Sequence, residues 1–151
     1  MNKFIIQMFF ISTLLSVMSC SFFEKPEIAP YVISKLECKM GMLEGYYSFG
    51  CVQFDFFNAS NKDVSEILVS CIAYDAITKK SPFIGTNYLK NTFSGDIIRQ
   101  ENKTLILSLD QYIFVVPEKP YLIDFFYISK INYIDGSSWE DKNGFYFTRS
   151  F

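Results

Sequence analysis

Along most of this chain apolar and polar residues alternate in short runs, and the runs stop at clusters of glycine, asparagine, aspartate, serine and proline. Runs rich in Val, Ile, Phe and Tyr bounded by such clusters are the pattern of β-strands, because branched and aromatic side chains pack well on a pleated surface. The pattern predicts strands over 31–41, 46–57, 64–75, 84–90, 92–98, 103–109, 112–116, 121–134 and 144–149. Turns are expected at Glu44-Gly45, Asn58 to Lys62, Ala76 to Pro82, Gln100 to Lys103, Pro117 to Pro120 and Asp135 to Gly144. No long segment after Tyr31 carries apolar residues at helical spacing. Many strands without helices predict an all-β, antiparallel sandwich.

Alternation also orients the strands. Val52, Phe54 and Phe56 alternate with Cys51, Gln53 and Asp55, so the first set is expected in the core. Over 121–134 the pattern divides Leu122, Asp124 and Phe126 from Tyr121, Ile123, Phe125 and Tyr127. A strand apolar at most positions belongs in the middle of a sheet, covered on both faces.

The first residues obey a different logic. Lys3 precedes a run from Phe4 to Val17 broken by Gln7, Ser12, Thr13 and Ser16, the charged and apolar regions of an export signal, expected to form a signal helix. As a helix the run would span about 21 Å, short of the ~30 Å hydrocarbon core. It ends in Val17-Met18-Ser19-Cys20, which resembles the lipobox of bacterial lipoproteins, with Met18 where that pattern prefers a small residue. The resemblance implies cleavage before Cys20 and lipid on its thiol, a firm hold on a membrane through several acyl chains. Ser21, rather than aspartate, comes after the cysteine, which under the enterobacterial sorting pattern favours an outer-membrane or cell-surface address. The expected organisation is a signal peptide over 1–19, a lipidated cysteine and tether over 20–30, and a sandwich over 31–151.

Composition narrows the chemistry. Half of the 151 residues are hydrophobic and 19% are aromatic, enough to bury a core. The net charge of −2 has no basic excess behind it, so nucleic acid is not an expected partner. Histidine is absent, which removes the commonest general base and metal ligand.

Three cysteines remain beside Cys20. A two-residue turn at Glu44-Gly45 would set Cys38 directly opposite Cys51 at a position where side chains approach closely. Two readings stand for this pair: a cross-strand disulfide, or two reduced, half-buried thiols separated by a register slip of one residue. Cys71 is expected in the core as a small apolar side chain. No Cys-x-x-Cys motif occurs, and neither a metal nor any other cofactor is expected.

The segment Asp141-Lys142-Asn143-Gly144 has a fragment of a calcium loop but lacks the remaining ligands, and reads as a turn. Neither a Gly-x-Ser-x-Gly elbow nor a phosphate-binding glycine loop is present. Trp139, the lone tryptophan, is either a binding anchor in a loop or a ring folded back over one end of the sandwich.

Two stretches carry a resemblance within the domain. Phe54-x-Phe56-x-Asn58-x-Ser60-x-Lys62, succeeded by a strand ending in Tyr74-Asp75, resembles the immunoglobulin-like domains of bacterial envelope proteins, including the FxLYD type. Ile131-x-Tyr133-x-Asp135-Gly136-Ser137-x-Trp139 is similar to a strand and turn near the end of such domains. The resemblance implies an immunoglobulin-like sandwich and no catalytic residues. The antibody-type disulfide between sheets has no counterpart, because 121–134 contains no cysteine.

The expected function is a non-catalytic binding or structural module of the cell envelope, with an envelope protein, a glycan or a host molecule as partner. The alternative is a hydrolase of envelope glycan working with carboxylates alone, which needs two of Asp55, Asp75, Asp110, Asp124, Asp135 and Asp141 across one cleft.

Overall fold

The computed structural model describes residues 28–41 and 50–150. The signal, the lipobox and the Glu44-Gly45 turn lie outside them. Seven strands are found among the described residues: β1 (Tyr31–Met40), β2 (Gly50–Asn58), β3 (Val64–Tyr74), β4 (Tyr88–Ile97), β5 (Asn102–Ser108), β6 (Leu122–Tyr133) and β7 (Ser138–Glu140). They form two antiparallel sheets of order β1-β2-β5 and β4-β3-β6-β7.

The sheets face each other across one apolar core. Val52, Phe54 and Phe56 of β2 point into it, as their alternation predicts, and meet Ile67, Val69, Cys71 and Ala73 of β3 and Phe126 of β6. Phe54 and Phe126 meet edge to face, with ring centroids 4.8 Å apart, the geometry that the ring quadrupole favours.

Several expectations need correction. The runs 84–90 and 92–98 are one strand, β4, because Asn91 continues the ladder opposite Val69. The run 112–116 is no strand: a 3₁₀ turn covers Asp110–Tyr112, and the apolar residues after it find no neighbouring strand to pair with. The run 144–149 makes one bridge, Thr148 with Phe126, while β7 lies inside the stretch expected to be all turn.

β-Bulges explain the alternation that failed on β6. Its register with β3 shifts between Ser70 and Ile72 and again between Leu68 and Val69, and Phe125 in the first of these has φ +47°. Each extra residue moves the side chains beyond it to the other face. The core-facing set therefore reads Ile123, then Phe126 and Ile128, then Ile131 and Tyr133. The N–H of Ile128 is directed at the Tyr31 hydroxyl, 3.4 Å away on the opposite sheet.

The strands share two ends. At one, here called the base, β1 begins and the turns 59–63, 98–101 and 134–137 gather. At the other, the crown, lie the long connections 75–87 and 109–121.

Candidate functional site

The crown is built from aromatic packing under two pinned loops. In the first loop the Asp75 carboxylate accepts the N–H groups of Ile77 and Thr78 and the Thr78 hydroxyl, at 3.0, 2.6 and 2.9 Å. These bonds to the charged form hold the Asp75 carboxyl below its usual range. Farther along, Phe83 tucks between Tyr112 and Tyr121, 5.4 and 5.3 Å between centroids. Tucking Phe83 inward leaves its neighbour Ile84 92% exposed.

The second loop is tied down at its start. Leu109 N–H donates to the Gly50 carbonyl at 2.8 Å and Gly50 N–H to Asp110 at 3.1 Å. Ile113 and Tyr121 are buried, yet Phe114, Val115 and Val116 between them point outward, Phe114 84% exposed. Pro117 and Pro120 limit how this stretch can fold back. With Ile77 and Ile84, the crown shows five exposed apolar side chains on two loops. Exposed apolar side chains on these loops make the crown the candidate contact surface.

Two depressions adjoin the crown. A cleft of about 470 Å³ opens between the edge strands β4 and β5, lined by Asn91, Thr92, Phe93, Ile106, Leu107, Ser108, Asp110 and Gln111. A groove of about 420 Å³ lies on the outer side of the four-stranded sheet, lined by Tyr74, Lys79, Leu122 and Asp124. Each holds one of the six aspartates.

All six aspartates organise local structure. Asp55, buried on the outer face of β2, receives Lys35 at 2.8 Å and the Thr104 hydroxyl at 2.6 Å. Lys35 first and Thr104 second hold its carboxyl below the ordinary range. Asp124 caps the β6 bulge through the Phe125 N–H at 2.8 Å and pairs with Arg149 at 3.4 Å. The side chain of Asp135 accepts the Ser137 N–H and hydroxyl and pairs with Lys62 at 3.0 Å, and its pKa falls to about 2 for those reasons. Asp141, fully buried, takes the N–H groups of Asn143 and Tyr146 on its two oxygens. That is a structural turn, as the residue types of 141–144 predict. Among the described residues no group of three or more His, Cys, Asp or Glu side chains is placed to hold a metal ion.

The candidate residues separate widely. Cys20 lies outside the described residues. Cys38 stands opposite Val52 and Cys51 opposite Lys39, so the two are not direct partners, and both are free thiols. The expected pairing holds from Tyr31 to Ser34, but a bulge between Ser34 and Glu37 moves the rest of β1 by one residue. Lys35 in that bulge has φ +50° and is held there by Asp55. Cys38 turns toward the core, whereas Cys51 lies on the other face of its sheet beside Lys39 and Gln53. Burial pushes the Cys38 thiol up to about 11 and the core thiol of Cys71 up to about 12, far from the reactive thiolate.

Trp139 sits on β7, buried, with its ring edge-on to Tyr31 at 5.5 Å and tilted against Tyr146 at 6.2 Å. Of its two readings, the folded-back ring is the one the geometry adopts. The crown was missed in the sequence because Ile113 to Val116 mimics a strand; the nearby Pro117 and Pro120 were the signal that it is a loop.

Fold and site together define an all-β protein of two packed antiparallel sheets. No family model matches the chain, nor does any curated protein. Among solved structures it is similar to an X-ray structure of a hypothetical protein from Peptoclostridium difficile 630, with a TM-score of 0.55 and 12% identity over 77% of this chain and 88% of that one. At that identity the likeness speaks for the fold alone. Among the described residues no helix is long and apolar enough to cross a membrane.

Proposed function

We propose that this chain is a bacterial lipoprotein, anchored in the cell envelope by lipid on Cys20, whose immunoglobulin-like sandwich is a non-catalytic binding module. The observation that carries the reading is the polarity of the domain. β1 begins at the base, and the exposed apolar loops with both adjoining depressions lie toward the crown. A chain tethered through residues 20–30 displays its crown away from the membrane, toward an envelope protein, a glycan or a host molecule at the outer membrane or cell surface.

The strand order supports the immunoglobulin-like part. A constant-type domain sets four strands against three, with the fourth strand beside the fifth. Here the fourth strand pairs with the third, giving β1-β2-β5 against β4-β3-β6-β7, a seven-stranded sandwich in which one edge strand has changed sheets. The structural duties of the six aspartates and the lowered pKa of Asp55, Asp75 and Asp135 favour binding over acid catalysis, which needs a raised pKa.

Two measurements test the proposal. Cys20→Ser is expected to abolish fatty-acid labelling, and wild-type protein without acyl mass on its N-terminal Cys20 peptide would refute the anchor. Cross-linking on intact membranes is expected to yield a discrete adduct with wild type that Phe114→Ser with Val115→Ser loses. An adduct unchanged in that double variant would refute the crown as the binding end.

A further inference from the structure

The base carries an apolar surface of its own. Ile28 is 88% exposed, and Ile98 and Ile134 are each 58% exposed. The last two are neighbours by construction: the Asp63 carbonyl accepts the Ile134 N–H at 3.0 Å, while the Asp63 carboxylate accepts the N–H of Arg99, next to Ile98, at 2.9 Å. Pro30, two residues after Ile28, is bonded through its carbonyl to the Ala59 N–H on the turn that leads to Asp63. Three isoleucines from three separate segments thus gather at the end where the chain enters the domain.

We infer that Ile28, Ile98 and Ile134 rest in the interface of the same bilayer that holds the lipid on Cys20, so that the domain stands on its base. The inference depends on the anchor proposed above and adds to it a direct contact between the base and the bilayer. Chain length decides between the two ends. The eight peptide links from Cys20 to Ile28 reach at most about 29 Å. β6, with twelve residues, is about 40 Å long. For the crown to meet that bilayer end-on, residue 28 would have to stand farther from it than the links extend. The base has no such restriction.

Part of the charge at the base is already engaged. Lys62 is paired with Asp135 at 3.0 Å, and the Glu101 carboxylate accepts the Ile98 N–H at 2.9 Å, which holds that side chain at the tip of its turn. Apolar insertion of a few side chains is weak for a free protein. A short tether makes it effective by keeping the local concentration of the surface high.

The test uses full-length lipidated protein in phosphatidylethanolamine and phosphatidylglycerol vesicles with brominated acyl chains. Fluorescence of Ile98→Trp, Ile134→Trp and Phe114→Trp is read against wild type, whose buried Trp139 is common to all. The tryptophans added at 98 and 134 are expected to lose about half of their emission, and the one at 114 about a tenth or less. Absence of quenching at 98 and 134, on protein whose Cys20 peptide carries acyl mass, overturns the base contact and leaves the anchor standing. Stronger quenching at 114 than at 98 and 134 overturns it too, and a peptide without acyl mass removes anchor and contact together.

Discussion

At the base, short turns are tied to one another by a buried amide; at the crown, long loops are closed by a plug of aromatic rings. Asn58 sits at the centre of the base. Its side-chain NH₂ donates to the carbonyls of Lys62 at 2.9 Å and Ile97 at 3.2 Å, while its oxygen accepts the Ser60 N–H and hydroxyl at 3.1 and 2.6 Å. Its backbone meets Glu101 and Gln100 across the other turn. One residue therefore satisfies polar groups on two connections, and each of those groups would be costly to bury unpaired. Phe83, Tyr112 and Tyr121 at the crown instead offer ring contact area whose geometric demands are looser than those of hydrogen bonds. A polar lock fixes geometry and tolerates little change, whereas an apolar plug tolerates substitution and leaves its loops free to present side chains outward.

Near-isosteric substitutions at the two ends would break this contrast most directly. Asn58→Asp replaces a donor with a charge facing the carbonyls of Ile97 and Lys62. It is expected to cost about 3–5 kcal/mol at neutral pH, lowering the melting temperature by roughly 15 °C for a domain of this size. Phe83→Leu keeps most of the apolar contact and is expected to cost only about 1 kcal/mol. Thermal unfolding monitored by circular dichroism checks both, and a larger loss for Phe83→Leu would reverse the assignment of lock and plug.

The smallest effect sharpens the comparison through acid. Asp135, bonded to Ser137 and Lys62 at the base, has its folded pKa depressed to about 2 from 3.8. Its contribution is full above about pH 4 and is lost as pH falls through the folded value. Asp135→Asn is therefore expected to melt slightly below wild type near neutrality, with the two curves converging toward pH 2. A difference that persists undiminished at pH 2 would show that the carboxylate charge is not what holds the turn.

Much of this architecture is legible one strand at a time. β2 reads correctly because it is the central strand of its sheet: Val52, Phe54 and Phe56 alternate without interruption and the sheet on the other side requires all three. The turn from Asn58 to Lys62 reads correctly because asparagine and serine side chains bond their own backbone, a local effect visible in the residue types. β6 does not read correctly. Its two bulges depend on which β3 residues it must oppose, so alternation carried through Phe125 assigns the residues between them, Phe126 to Ile128, to the wrong face, and the second bulge brings Ile131 and Tyr133 back into phase. Of the two readings for Cys38 and Cys51, reduced thiols separated by a one-residue slip is the one adopted, and residue types could not choose it because the bulge that separates them is held by Lys35 on Asp55, a contact between strands.

The sequence by itself determined the all-β character, the core positions of β2 and the local turn from Asn58 to Lys62, because periodicity and side-chain to backbone bonding act within a few residues. Tertiary structure decided the register of β1 and β6, the exclusion of Ile113 to Val116 from any sheet, and the gathering of separate isoleucines at the base and apolar loops at the crown. A bulge costs one residue of phase, and only the partner strand determines where that residue is inserted. Exposure of an apolar run is likewise settled by whether a neighbour arrives to cover it, which for Phe114 and Val115 none of the described residues does.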